Sequence, residues 1–218
     1  TTGSSVIPDV EVLSHGALFW RSFTHWVGGM GIIVFVMAIL PNVSERPIHI
    51  LRAEIPGPTV GKLVPRIKDT ALILYLIYIV MTVIETVMLL FGGMSFFESL
   101  LHTFGTAGTG GFGLKRDSLA SYSPYIQWVI TAFMILFGVN FNLYYLMLLK
   151  KFKAVVTSTE LWAYFGIILS SAALIAWNIR HLFVGTEQTV RTAAFQVASV
   201  ISTTGYATAD FNLWPNFS

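Results

Sequence analysis

Residues 103–114 read TFGTAGTGGFGL, with five glycines in twelve positions. Such density frees the backbone for positive φ and leaves its amides and carbonyls uncovered. Two chemistries use a backbone of this kind. Amide N–H groups can cradle a phosphate, and Gly108-Thr109-Gly110-Gly111-Phe112-Gly113 fits the G-x-G-x-x-G pattern of dinucleotide sites. Carbonyl oxygens can instead replace the water shell of a monovalent cation. The phosphate chemistry needs a strand before the loop and an acidic residue about twenty positions after it. Here a helix-like stretch precedes, and Ser118–Leu149, which follows, holds no Asp, Glu, Lys or Arg. A carbonyl site remains, set against plain packing glycines at a helix end.

Repetition decides between those two. LHTFGTAGTGGF (101–112) overlays FQVASVISTTGY (195–206), each an amphipathic half-helix closing on Thr-x-Gly-aromatic: Thr109, Gly111, Phe112 and Thr203, Gly205, Tyr206. The opening TTGS, with Thr2 and Gly3, reads as the end of an earlier copy. Gly3 precedes Gly29 by 26 positions, and Gly111 precedes Gly138 by 27. The repeating unit is span, half-helix, glycine turn, span. Carbonyls at Thr2, Gly3, Thr109, Gly110, Gly111, Thr204 and Gly205 become the expected cation ligands. The half-helices direct the negative ends of their dipoles at the same place.

The elements that position these turns are apolar. The chain of 218 residues is 55% apolar and 11% charged, with mean hydropathy +0.71, whereas soluble domains carry about 25% charged residues. Crossing the hydrocarbon takes about 20 apolar helical residues. Spans are expected over 16–40, 69–91, 124–149 and 160–178, with half-helices over 95–105 and 189–202. Irregular backbone at membrane depth is tolerated where it is buried in protein or lines a watery cavity, which suits re-entrant turns. The fold class is thus an all-α membrane protein of repeated span–pore-helix–span units with re-entrant filter loops. The units divide as 1–41 (end of the first repeat), 42–68 (connector), 69–153 (second repeat) and 154–218 (an incomplete third).

Charge placement orients the chain. Arg46, Arg52, Lys62, Arg66 and Lys68 follow the first span, and Lys150, Lys151 and Lys153 follow the third. The other side carries Lys115, Arg116, Arg180 and Arg191. The more basic side faces the cytoplasm, which turns the glycine loops outward. The absence of cysteine excludes disulfides and thiolate metal sites.

Charges inside spans are functional suspects. Arg21 and Glu85 both stand about seven residues, roughly 10 Å, from the outer ends of their helices. Equal depth suits an ion pair between repeats; the alternative is an Arg21 that snorkels to the interface. Asn140 and Asn142 can bond between helices or line the inner pore. His25 and His102 lack a second ligand at metal spacing and read as packing histidines. Asp9, Glu11, Asp117 and Asp210 either concentrate cations at the turn mouths or are ordinary solvated loop charges. The lysines after the third span contact a regulatory partner or anionic lipid, or serve topology alone.

Five strings spread over nearly the whole chain resemble the Trk/Ktr/HKT superfamily of potassium transporters, the bacterial Trk-type uptake subunit above all. They are FWRSFTHWVGGMGIIVFVMAILP (19–41), PRIKDTA (65–71), GGF (110–112), SPYIQWVITAFMILFGVNFNLYY (123–145) and STTGYAT (202–208). The resemblance implies four repeats around one pore, a homodimer in the inner membrane, and a cytosolic nucleotide-binding regulatory ring. It also makes Gly3, Gly111 and Gly205 filter glycines, and Gly3, where sodium-passing members carry serine, suggests potassium. On this pattern the sequence starts inside the first filter loop and lacks the third exit helix and the fourth repeat, as a fragment would.

The expected function is potassium uptake through a carbonyl-lined filter, with K⁺ as the transported ion and no organic cofactor or nucleic acid. A sodium- or proton-coupled symporter of the same fold is the alternative. An intramembrane enzyme would require paired acids or histidines within spans, and a scaffold would not need repeated half-helices. The sequence holds no H-E-x-x-H or G-x-S-x-G motif.

Overall fold

A computed structural model describes residues 7, 9–31, 67–183 and 185–215, with 67–70 by backbone alone. Thr2, Gly3, the first span beyond residue 31 and the connector over 42–66 lie outside the described residues. All regular structure among those described is helical: α1 (His15–Gly29), α2 (Ile67–Phe91), α3 (Phe96–Ala107), α4 (Pro124–Gly138), α5 (Phe141–Leu148), α6 (Phe152–Val156), α7 (Thr159–Ile179) and α8 (Thr186–Ile201). A 3-10 turn covers Phe211–Leu213.

The layering inverts that of a water-soluble protein. The short helices lie inside: α3 buries eight of its twelve residues, four of them polar (Ser99, His102, Thr103 and Thr106). The long apolar helices lie outside. Within α7 only Ile168 and Ile179 are buried, while Trp162, Ile167, Leu169, Leu174 and Trp177 are exposed. Residues 71–91 of α2, together with α7, are long and apolar enough to cross a membrane.

Each short helix packs in the same way. The α3 helix lies against α2, which opens its own repeat, and against α1, the exit helix of the repeat before. The α8 helix lies likewise against α7 and α4. Ser95 starts α3 through a reciprocal capping box with Glu98. Ser123 caps α4 with Pro124 at its first position, and Ser158 caps α7.

The expected third span over 124–149 is not one helix. The α4 and α5 helices meet at 85° across Val139 and Asn140. Val139 is extended, and the Asn140 side chain accepts the Asn142 N–H to start a new helix. The carbonyls freed at the end of α4 find side-chain donors. The Tyr164 hydroxyl donates to the Ile135 carbonyl at 3.1 Å, and the Tyr144 hydroxyl to the Leu136 carbonyl at 2.7 Å. The Asn140 amide donates across to Glu160 of α7 at 3.2 and 3.4 Å, so Asn140 is an interhelical residue. A break at membrane depth is tolerable because its polar groups are satisfied in this way. The first exit helix also stops early: α1 ends at Gly29, followed by Gly31 at φ +73°.

Candidate functional site

The α3 and α8 helices end alike. After α3, the Gly110 N–H donates to the Gly105 carbonyl at 2.9 Å and the Thr109 N–H to the Thr106 carbonyl at 3.0 Å. After α8, Thr204 donates to Ser199 at 2.9 Å and Thr203 to Val200 at 3.0 Å. These paired bonds make a Schellman closure, which places one residue in the left-handed region. Glycine normally occupies that place. Here it is Thr109, at φ +50°, and Thr203, at φ +58°. A β-branched residue there is a genuine outlier, costing on the order of 1–2 kcal/mol. Two residues on, Gly111 and Gly205 are left-handed again, at φ +67° and +87°. The chain therefore alternates its handedness identically in both copies.

The two turns touch. A side chain at Gly111 would collide with the Thr204 carbonyl of the other copy. Tyr206, 1% exposed, sends its hydroxyl back to the His102 carbonyl at 3.2 Å and the Phe112 carbonyl at 3.4 Å. That hydroxyl fills the space a side chain at Gly105 would need. The Leu119 N–H donates to the Ala207 carbonyl at 3.0 Å, and the Ala207 N–H to the Ser118 hydroxyl at 3.2 Å. Beside the turn after α8, the Ser202 and Thr204 hydroxyls share a hydrogen bond of 2.6 Å.

Two cavities flank the turns. One, of about 250 Å³, is lined by Thr109 and Thr203 together with Gly29, Gly138, Ser202 and Phe137. The other, of about 410 Å³, is lined by Gly111 and Gly205 with Phe112, Arg21, Lys115 and Arg116. In both copies, then, the path from threonine to glycine runs from the first cavity to the second. Among the described residues no group of three or more His, Cys, Asp or Glu side chains could hold a metal ion. What the turns place between the two cavities is backbone and threonine side chains.

The preceding repeat supports each turn at its root. At Gly29 a side chain would lie 2.6 Å from the Tyr78 hydroxyl and 2.7 Å from the Gly108 Cα. At Gly138 it would meet the Tyr164 hydroxyl, with the Ser202 Cβ at 3.6 Å. Gly108 and Ser202 are the residues just before the strained threonines. Each tyrosine also bonds the carbonyl three residues before its glycine: Tyr78 to Trp26 at 2.9 Å, and Tyr164 to Ile135 at 3.1 Å. At Gly29 glycine is needed because the exit helix of one repeat runs directly onto the pore-helix backbone of the next, whereas at Gly138 the close neighbour is the Tyr164 side chain and Ser202 lies at an ordinary distance.

Of the expected site residues, the structure brings Thr109, Gly110, Gly111, Thr204 and Gly205 together at this junction. Thr2 and Gly3 lie outside the described residues. Arg21 and Glu85 do not pair: the Arg21 guanidinium sits 3.7 Å from the Phe112 ring centroid, and the buried Glu85 oxygens have no hydrogen-bond partner. Equal depth says nothing of direction around the helix. His25 stacks on Phe112 at 3.8 Å, and its ring occupies the space beside Gly110, so it is a packing residue of the second turn. The described residues lining the second cavity include none of Asp9, Glu11, Asp117 or Asp210; Glu11 instead accepts the Arg116 N–H at 3.3 Å. Near the start of α3, partial burial pushes the Glu98 carboxyl up. The Ser95 hydroxyl and N–H, with His102 and Lys115 nearby, outweigh this and hold it below the ordinary range. Burial and the neighbouring Glu98 push the Tyr122 phenol up. Thr203, which was not among the expected ligands, lines the same cavity as Thr109, the residue it matches in the sequence repeat.

Residues 1–176 match the family model described as "TrkH: Cation transport protein". The chain is 34% identical over 223 residues to the Trk system potassium uptake protein TrkH of Escherichia coli K12, covering 100% of this chain and 46% of that protein. It is 30% identical to the Trk system potassium uptake protein TrkI of Halomonas elongata, covering 98% and 44%. The crystal structure of the potassium transporter TrkH from Vibrio parahaemolyticus superposes with a TM-score of 0.81 at 29% identity, over 99% of this chain and 44% of that one. The chain thus spans somewhat under half the length of the relatives it matches.

Proposed function

This chain belongs to the TrkH family of cation transport proteins, and from that premise we propose that it forms part of the pore of a potassium uptake protein. The ion passes between the turns at Thr109–Gly111 and Thr203–Gly205, where carbonyl oxygens and threonine hydroxyls stand in for its water. Thr2 and Gly3 supply the equivalent turn of the first repeat. One observation carries the reading: two repeat-related turns alternate handedness identically and connect the same two cavities. The glycine side faces outward and the threonine side faces the cytoplasm, in accord with the basic residues after the first and third spans. The whole protein sits in the cell membrane as a multi-pass homodimer. It works with a cytosolic nucleotide-binding ring, a partnership supported by relatives named as components of a Trk system. Lys150, Lys151 and Lys153 lie on the side where such a ring, or anionic lipid, would bind.

Flux measurements on the full-length protein in vesicles test this. At Gly111 a serine must adopt a left-handed φ and push back the Thr204 carbonyl. Gly111→Ser should reduce uptake of K⁺ and Rb⁺ and lower the preference for K⁺ over Na⁺. Unaltered uptake and preference would remove the turn from the ion path.

A further inference from the structure

Gly111 has Gly110 on one side and Phe112 on the other, and one helix of the preceding repeat touches both. The Arg21 guanidinium of α1 stands 3.7 Å from the Phe112 ring centroid, and the His25 ring stacks on the same Phe112 at 3.8 Å, inclined by 24°. Two groups this near one ring centre cannot share a face, so Phe112 lies between them. Arg21 and His25 are four positions apart on α1, and side chains so spaced are neighbours about 5–6 Å apart at Cβ. That separation suits a ring held between their tips. His25 also fills the space beside Gly110. The ring turns the negative face of its π-system toward the guanidinium, and among the described residues no carboxylate forms an ion pair with Arg21. The Phe112 carbonyl in turn accepts the Tyr206 hydroxyl at 3.4 Å.

We infer that Arg21 and His25 clamp the Phe112 ring from its two faces and so hold Gly111 in the conformation that K⁺ preference requires. Both are positioning residues for the turn after α3. The clamp belongs to this repeat. At the matching places in α4, eight and four residues before Gly138, stand Ile130 and Met134, both fully buried. Tyr206, the counterpart of Phe112, is anchored through its hydroxyl instead. Arg21 also lines the same cavity as Gly111, so direct action of its charge on the arriving ion is the rival explanation, and it gives a different pattern of effects.

The bearing of the clamp on preference rests on the pore reading; its existence does not, and two measurements on the full-length protein separate them. The first is unfolding in mixed micelles, run as a cycle of Arg21→Met, Phe112→Leu and the double variant. The double effect on the unfolding constant should fall short of the product of the single effects by roughly two- to fivefold, the scale of one cation–π contact. Effects that simply multiply would overturn the clamp. The second is K⁺ over Na⁺ preference in vesicle flux. Arg21→Met, Phe112→Leu and His25→Ala should each lower it roughly two- to fivefold. The Arg21→Met, Phe112→Leu double variant should lose no more than either single one, and Phe112→Tyr, which keeps both ring faces, should leave the preference unchanged. Equal loss in the Tyr and Leu variants would refute the positioning role. So would an Arg21→Met effect that persists in the Phe112→Leu background and fades in high salt, the mark of charge acting alone. If Phe112→Leu fails to fold, Arg21→Met against Phe112→Tyr decides, since preference must fall in the first and hold in the second. Coupling in the unfolding cycle together with wild-type protein that passes no K⁺ would sink the pore reading and leave the clamp standing.

Discussion

The joint between repeats makes a prediction whose sign opposes simple helix propensity. Gly→Ala inside a helix ordinarily stabilises by about 1 kcal/mol. At position 29 the new Cβ would stand 2.6 Å from the Tyr78 hydroxyl, 2.7 Å from the Gly108 Cα and 3.0 Å from the Ala107 carbonyl. Ordinary contact is about 3.5–4.0 Å, so α1 must withdraw from α3 by roughly 1 Å. Overpacking of that kind costs about 1–3 kcal/mol, and losing the bond from Tyr78 to Trp26 adds about 1 kcal/mol. After subtracting the propensity gain, Gly29→Ala should destabilise by about 1–3 kcal/mol. Gly138→Ala meets only the Tyr164 side-chain tip closely, its hydroxyl and, at 3.3 Å, its ring Cζ, with the Ser202 Cβ at an ordinary 3.6 Å. A tyrosine tip can swing away, so this variant should cost about 1 kcal/mol at most. Removing the hydroxyl sharpens the contrast: Tyr164→Phe should rescue most of Gly138→Ala, leaving only a ring-carbon contact of 3.3 Å, while Tyr78→Phe should rescue Gly29→Ala less, because the Gly108 backbone remains. Gly166→Ala, with nothing within 4 Å of the new Cβ, is the control that should not destabilise. The assay is unfolding of the full-length protein in mixed micelles by increasing denaturing detergent. A Gly29→Ala protein as stable as wild type, or one fully rescued by Tyr78→Phe, would refute the close approach of the two backbones.

Thr109→Gly and Thr203→Gly should each raise stability by about 1 kcal/mol as left-handed strain is relieved, and should impair K⁺ preference in the same flux assay; a fall in stability would show that the threonines are not strained. Ser95→Ala should cost about 1 kcal/mol by removing the cap of α3, read from the same unfolding curves. Because the Glu98 carboxyl is held below its ordinary value, its bonds to Ser95 contribute above the unfolded value of about 4.3. That contribution is lost as pH falls through the folded value, so the gap between wild type and Ser95→Ala should narrow in acid. A gap that widens on acidification would contradict the capping geometry.

What was legible in the sequence follows from what each signal reports. The two half-helices and their glycine turns could be read because Thr109, Gly111 and Thr203, Gly205 recur at one spacing, and backbone conformation depends strongly on glycine. The spacing that linked Gly29 to Gly138 was likewise informative: both line one cavity and both meet a pore helix. Hydropathy failed at residues 138–140, since it reports transfer into lipid and not the continuity of a helix. Only Asn140, a residue that caps helices readily, marks the 85° bend locally. The Arg21–Glu85 pairing failed for a related reason. Depth is one coordinate of three: Arg21 turns onto the Phe112 ring, while Glu85 is buried within the fold without a partner. The left-handed backbone at Thr203 has no local sign in the sequence, because glycine, not threonine, is the usual bearer of positive φ.

Strain at the two threonines also explains why the turns are so crowded. A β-branched residue in the left-handed region persists only where its surroundings over-determine it. Around Thr109 those surroundings are the bonds to Gly105 and Thr106 from behind, the His25 ring beside Gly110, and the Thr204 carbonyl against Gly111. The exit helix of the preceding repeat presses on Gly108, one residue upstream, and its counterpart reaches Ser202, one residue before Thr203. Each turn is therefore held by two repeats, and each exit helix ends or bends within two residues of the glycine that makes the contact. A shift of the first exit helix at that break bears directly on Gly108, the residue before the strained Thr109, because there the two backbones meet. The conformation of that turn is thus coupled to the position of the preceding repeat's exit helix, and the turn after α8 is coupled less tightly, through an ordinary contact at Ser202.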